Sequence, residues 1–215
     1  MYNITPDDYE FAEQVKTTKE VLEGNFNTTL EKVEHTLRLF EEPVNLSQIL
    51  GLARNRSFWN AARYINIVSF DLKIISKHQA FSNNEWEKRY FARQGSLLIY
   101  ESIGDILSLL GNEFKKIADD FLKDESFKES LNMLRNQLNT FKAKHFKKLK
   151  QHRNSAIAHR DKDTQAQLKT IYSISWLESI NMCSEFDRVL NDVGGFLEKM
   201  MRKGISDGQI KFNAY

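Results

Sequence analysis

The chain has 215 residues, 41% hydrophobic and 28% charged, with a formal net charge of only +2. This is the composition of a folded globular protein with room for one sizeable core; it excludes a disordered chain and a bulk polycation. A single cysteine, Cys183, excludes an intrachain disulfide and any cysteine-based zinc cluster, and it fits a reducing, cytoplasmic setting.

Two prolines and nine glycines are too few for the turns of an all-β fold. The N-terminus carries neither the basic nor the apolar region of a secretion signal. No apolar run approaches the roughly 18 residues of a membrane span, so no membrane partner is expected.

Helical spacing predicts a first helix over residues 5–24, with Thr5 as N-cap, Pro6 in the first turn, and Asp7 and Asp8 complementing the helix dipole. A second helix is predicted over 28–40, striped by Leu30, Val33, Leu37 and Phe40 and ended by Pro43. Asn45 then caps a short segment over 46–53. A long helix over 57–78 keeps Phe58, Ala62, Ile65, Val68 or Ser69, Leu72 and Ile75 at three-four spacing. Ser82, Asn83 and Asn84 make a turn and cap.

The helix predicted over 85–110 has one stripe of Trp86, Tyr90, Leu97, Tyr100 and Leu107. Neighbouring stripes hold Phe91, Leu98, Ile103, Ile106 and Leu110. So wide an apolar surface predicts a central, largely buried helix. Trp59, Trp86 and Trp176 all sit at core spacing and do not read as base-stacking platforms. A shorter helix over 113–123 follows, then a long one from 126 toward 159. After a polar break at 161–164, a last long helix is predicted to reach 203, weak at Gly194 and Gly195, with a loosely held polar tail beyond it. The expected fold is all-α: an up-and-down helical bundle over 46–215 with an N-terminal helical extension over 1–45, together one compact unit.

Charge is unevenly spread. Residues 142–162 hold eight basic residues and one acid, a local charge of +7 on an otherwise slightly acidic chain. Such a patch suggests a localised polyanion site, although a charge run alone is also compatible with a solvated helix face. The same helix carries His145, His152 and His159 on its apolar stripe, beside Leu131, Leu134, Leu138, Phe141 and Leu149. His145 and His152 are expected to be hydrogen-bonded at helix interfaces. Seven residues of helix separate successive imidazoles by roughly 10 Å, too far to share a metal.

The basic run ends in Arg153-Asn154-Ser155-Ala156-Ile157-Ala158-His159-Arg160-Asp161. A permanent guanidinium and a titratable imidazole are the side chains best suited to phosphate-ester chemistry. Six residues of ideal helix set Arg153 and His159 about 120° apart, so one straight helix would not aim both at one phosphate. Either the helix is distorted here, or a second copy related by a two-fold axis supplies the missing partner.

This nine-residue string resembles the signature of HEPN domains, in which an Arg is followed by a polar residue and, a few positions on, by a His. Its Ala-His-Arg-Asp ending is similar to the abortive-infection AbiU-like branch. The all-helical pattern is compatible with that family, and the N-terminal extension is not explained by it. The resemblance implies a helical bundle that dimerises around the motif and cleaves RNA without metal or other cofactor, in a toxin-like, toxin–antitoxin or phage-defence role. An antitoxin or regulatory protein would be a further partner.

Carried over by position, Arg153 and His159 would be the catalytic pair and Asn154 an auxiliary polar residue. Lys147, Lys148, Lys150 and Arg160 would guide the RNA backbone with salt-sensitive affinity. Some HEPN relatives are inactive, so the alternative is a non-catalytic helical module that binds RNA or protein. In that case Arg153 would be structural and His159 would cap a helix C-terminus.

Other candidates are weaker. Ser155 has no activating partners in sequence, and Gly194-Gly195 lacks the residues of a phosphate loop. Cys183 sits on an apolar stripe and reads as core. Glu101 and Asp105 are placed to face the motif and orient His159.

Overall fold

The computed structural model describes residues 2–112, 114–116, 118, 124–154 and 163–208, without the side chains of 53 and 54. Among the described residues there are eight helices: α1 (Pro6–Thr17), α2 (Lys19–Leu39), α3 (Glu41–Ile49), α4 (Ala53–Phe81), α5 (Glu85–Leu109), α6 (Glu125–His152), α7 (Thr164–Ser173) and α8 (Trp176–Ser206).

Four long helices form the bundle, and cross-helix pairs fix its direction. Tyr64 and Asp105 hydrogen-bond between α4 and α5, and His78 stacks on Phe91 farther along, so α4 and α5 are antiparallel. Leu110 O with Arg135, and Ser96 with His152, set α6 antiparallel to α5. Phe141 on Phe186 and Phe127 on Phe196 set α8 antiparallel to α6. The result is an up-down-up-down bundle in which α5 and α8 run parallel across the diagonal.

Gly95 permits that diagonal approach, because a Cβ there would lie 3.0 Å from Cys183 Sγ. Ile99, Ile103, Ile106, Leu131, Leu138, Phe186, Leu190 and Val193 fill the centre. Cys183 is sealed among them, and burial pushes its thiol up to about 12, which leaves it inert.

The element bounds differ from those predicted where local chemistry overrode the simple reading. Pro43 does not end a helix; it stands in the first turn of α3, where its missing N–H costs nothing. The boundary expected at residue 45 therefore falls inside α3. Gly194 and Gly195 do not weaken α8, which runs unbroken through both to Ser206. The break comes earlier, at Ile174 and Ser175, where extended backbone and a Ser175 cap to Glu178 N start a new helix. Of the helix expected over 113–123, residues 114–116 and 118 are helical and Phe114 and Ala118 are buried; the tail from 209 lies outside the described residues.

The first forty residues are fastened to the bundle by polar contacts. Thr5 and Asp8 form a reciprocal capping box on α1. The Asp8 carboxylate is fully buried, and it also accepts from Leu177 N at 3.2 Å and Ser175 Oγ at 3.4 Å, so one side chain ties the start of α1 to the start of α8. Arg89, equally buried, pairs with Glu85, donates to Asn3 O at 2.8 Å and lies over the Tyr2 ring. Phe40 packs on Trp59, anchoring the end of α2 on α4.

Asp8→Ala strips the partner from buried donors and is expected to cost about 2 kcal/mol. Urea unfolding measures it, and an unchanged midpoint would show that α1 is not fastened through this carboxylate.

Candidate functional site

The residues that carry the basic run lie at the C-terminal end of α6, where it crosses the middle of α5. His152 is the last α-helical residue. Arg153 and Asn154 widen into a π turn, a departure that is rare and recurs at functional sites. Ser155–Lys162, and with them His159 and Arg160, lie outside the described residues. Arg153 itself keeps right-handed helical angles (φ −58°, ψ −53°), and the path from it to His159, on which the expected 120° offset depends, lies outside the described residues.

Arg153 is held from three sides. Its Nε donates to Glu101 Oε1 at 2.7 Å, one Nη donates to Asn154 Oδ1 at 3.3 Å, and its guanidinium lies 5.2 Å from the centroid of the Tyr100 ring. The bond to Glu101 raises its pKa above the ordinary value, keeping it a fixed cation. Glu101 is thus beside the motif as expected. Asp105, one turn further along α5, accepts from Tyr64 of α4, and burial together with this carboxylate pushes that phenol well above its usual range; His159, which both acids were expected to orient, lies outside the described residues.

The histidines separate by environment. His145 shares Glu185 with Lys144, at 3.0 Å. His152 is buried, and its Nδ1 lies 2.9 Å from Ser96 Oγ. The single hydroxyl proton of Ser96 points to Ala92 O, 2.9 Å away, so Nδ1 is the protonated nitrogen of a neutral His152. Burial, with Lys148 and Arg93 nearby, lowers the His152 pKa to about 4 against the pull of Glu178. Both residues are hydrogen-bonded at helix interfaces, as their place on the apolar stripe suggested. Among the described residues, no cluster of three His, Cys, Asp or Glu could hold a metal ion, and no helix is long and apolar enough to cross a membrane.

The basic run is less uniformly charged than it reads. Lys144 pairs with Glu185, Lys148 with Glu178 and Arg153 with Glu101. Lys147 and Lys150 are exposed and have no ion pair among the described residues. Lys148 is drawn toward α8 and away from them.

One correction concerns Trp86. Trp59 and Trp176 are core side chains at 0% and 1% exposure, but Trp86 is 42% exposed and Tyr90 45%. The apolar periodicity of α5 was real; among the described residues no helix lies over this stripe in its N-terminal half.

A cavity of about 420 Å³ opens among α2, α4 and α8, lined by Phe40, Trp59, Ile65, Leu190 and Met201. It lies away from the end of α6, and its lining contains no acid–base pair. No family model, curated protein or solved structure matches this chain.

Proposed function

We propose that this chain is a metal-independent endoribonuclease of the HEPN type, acting as a dimer whose composite site joins Arg153 of one protomer to His159 of the other. The observation that supports it most is the setting of Arg153. It is a fixed cation at a distorted helix end, held through Nε by Glu101, with exposed Lys147 and Lys150 on the turns before it. Holding the Nε side leaves the Nη pair as the edge for a bidentate contact to phosphate oxygens.

In the reaction, His159 takes the proton from a ribose 2′-hydroxyl. The 2′-oxygen forms a bond to phosphorus as the bond to the 5′-oxygen breaks. The leaving 5′-oxygen takes a proton from solvent water, His159 later gives up its own to solvent, and the product carries a 2′,3′-cyclic phosphate. Arg153 stabilises the charge gathered on the phosphorane oxygens. Asn154, bonded to the guanidinium, sets its orientation. A cytoplasmic toxin-like or phage-defence role, restrained by an antitoxin or regulatory protein, is the setting in which such an activity would operate.

A second reading has its own support. The Arg153–Glu101 pair already satisfies the guanidinium in part, as it would in a non-catalytic RNA-binding or protein-interaction module. The test is cleavage of RNA in the presence of a chelator by wild type, Arg153→Ala and His159→Ala. The enzyme reading requires activity in the first and its loss in the other two. Activity that needs added metal, or that is equal in all three, refutes it. Salt-dependent RNA binding without cleavage supports the second reading.

A further inference from the structure

The face of α5 that no helix covers among the described residues carries more than exposed apolar area. Trp86, Tyr90, Leu97 and Tyr100 fall within about 80° of one another at 100° per residue, and they span about 21 Å of helix. Cations are interleaved with the rings. Arg93, buried and donating through Nε to Arg89 O, backs the first two rings with its guanidinium 5.7 Å from the centroids of both Trp86 and Tyr90, and Arg153 lies against Tyr100. From α6, Phe146 extends the row. It is 38% exposed and stacks on Tyr100 at 5.7 Å with the planes 24° apart, and Lys142 and Lys150 stand 5.9 and 6.0 Å from its centroid. Arg153 and Phe146 both touch Tyr100, so the motif's guanidinium and the end of the row are one ring apart.

We infer that this row, from Trp86 to Phe146, is a base-stacking surface for unpaired nucleobases. It rests on the RNA reading above and adds how the strand is held. Every base offers a π-face to an aromatic ring, and every nucleotide brings a phosphate to an adjacent cation. A duplex keeps its bases stacked on each other and cannot use the rings. The occupant follows from charge: Lys142 and Lys150 beside Phe146 match the phosphates of a strand, and a second copy of the chain offers none.

The row also separates two kinds of contact. Rings supply stacking that is insensitive to salt, while Lys147 and Lys150 supply the counterion-releasing part.

The probes are a short labelled oligo(U) and an RNA duplex of equal length, with binding followed by anisotropy over a salt series and by intrinsic tryptophan fluorescence. Oligo(U) is expected to bind more tightly than the duplex and to quench Trp86, the exposed indole. Trp86→Ala combined with Phe146→Ala should weaken oligo(U) binding about tenfold or more with the salt slope unchanged. Trp86→Phe should keep the affinity and lose the quenching. Lys147→Ala with Lys150→Ala should instead flatten the salt slope. Far-UV circular dichroism confirms that these surface variants are folded.

Wild-type binding that the aromatic variants leave intact overturns the stacking surface while the RNA reading stands. No binding to either RNA removes both. Loss of self-association in the aromatic variants, with RNA affinity unchanged, assigns the row to a second copy and also overturns the proposal.

Discussion

Mixing the Arg153→Ala and His159→Ala variants is expected to restore RNA cleavage that neither shows alone. Each single variant should lose roughly 10²–10³-fold in rate, the scale on which removing one charge-stabilising or proton-transferring group acts in a preorganised site. In a composite site, a mixed dimer has one site with neither group and one with both. With random exchange of subunits, half the dimers are mixed, and recovery should approach about a quarter of the wild-type rate. If both groups act within one chain, no recombination of subunits can help, and the mixture stays inactive. That outcome would refute the composite site and leave a one-chain site to be built on the π turn.

Arg153 is only partly buried, so its truncation leaves the core untouched, and unchanged thermal unfolding would confirm that the loss is chemical. Glu101→Gln is an informative companion. Its amide oxygen can still accept from Nε but no longer neutralises the cation, so binding of phosphate should tighten while the geometry holds. A merely structural Glu101 would not shift affinity in that direction.

Much of the bundle was legible in the sequence because its signal is local and repeated. Phe58, Ala62 and Ile65, like Leu131, Leu134 and Leu138, recur at the spacing that one helix face needs, and every one of them is buried. Capping residues were equally readable: Thr5 and Asn84 accept backbone N–H groups at the starts of α1 and α5.

What periodicity cannot report is how much of a stripe finds a partner. Trp86 and Ile106 lie on apolar stripes of the same helix, yet one is open to solvent and the other sealed, because among the described residues helices cover the stripe that holds Ile106 and none covers the face that starts at Trp86. Nor does a charge run reveal its counter-ions. Glu178 is thirty residues from Lys148 and Glu185 forty-one from Lys144, and only the antiparallel docking of α8 on α6 brings them together. At the motif, residue types pointed to Arg153, but its partner Glu101 and its contact with Tyr100 depend on where α6 crosses α5.

Acid is expected to destabilise the fold through His152, the residue directly before the motif arginine. In the unfolded chain this imidazole titrates near 6.5; in the bundle its pKa is lowered to about 4. The folded state therefore resists a proton that the unfolded state accepts. Above pH 6.5 both states are neutral here and the stability contribution is complete. It is lost as pH falls from 6.5 to 4, by about 3 kcal/mol, and below pH 4 no further loss comes from this group.

The cause is not a broken hydrogen bond. Nδ1–H donates to Ser96 in either protonation state, so the cost is that of placing a second charge in a buried site facing Lys148 and Arg93, which Glu178 only partly offsets. His152→Asn retains a donor at the Nδ1 position and cannot titrate. Urea unfolding across this pH range should show the slope in wild type and its removal in the variant. Equal slopes would mean that other groups govern acid unfolding. Because His152 is the last α-helical residue before the π turn, the same protonation should loosen the segment that sets Arg153 against Glu101 before the rest of the bundle yields.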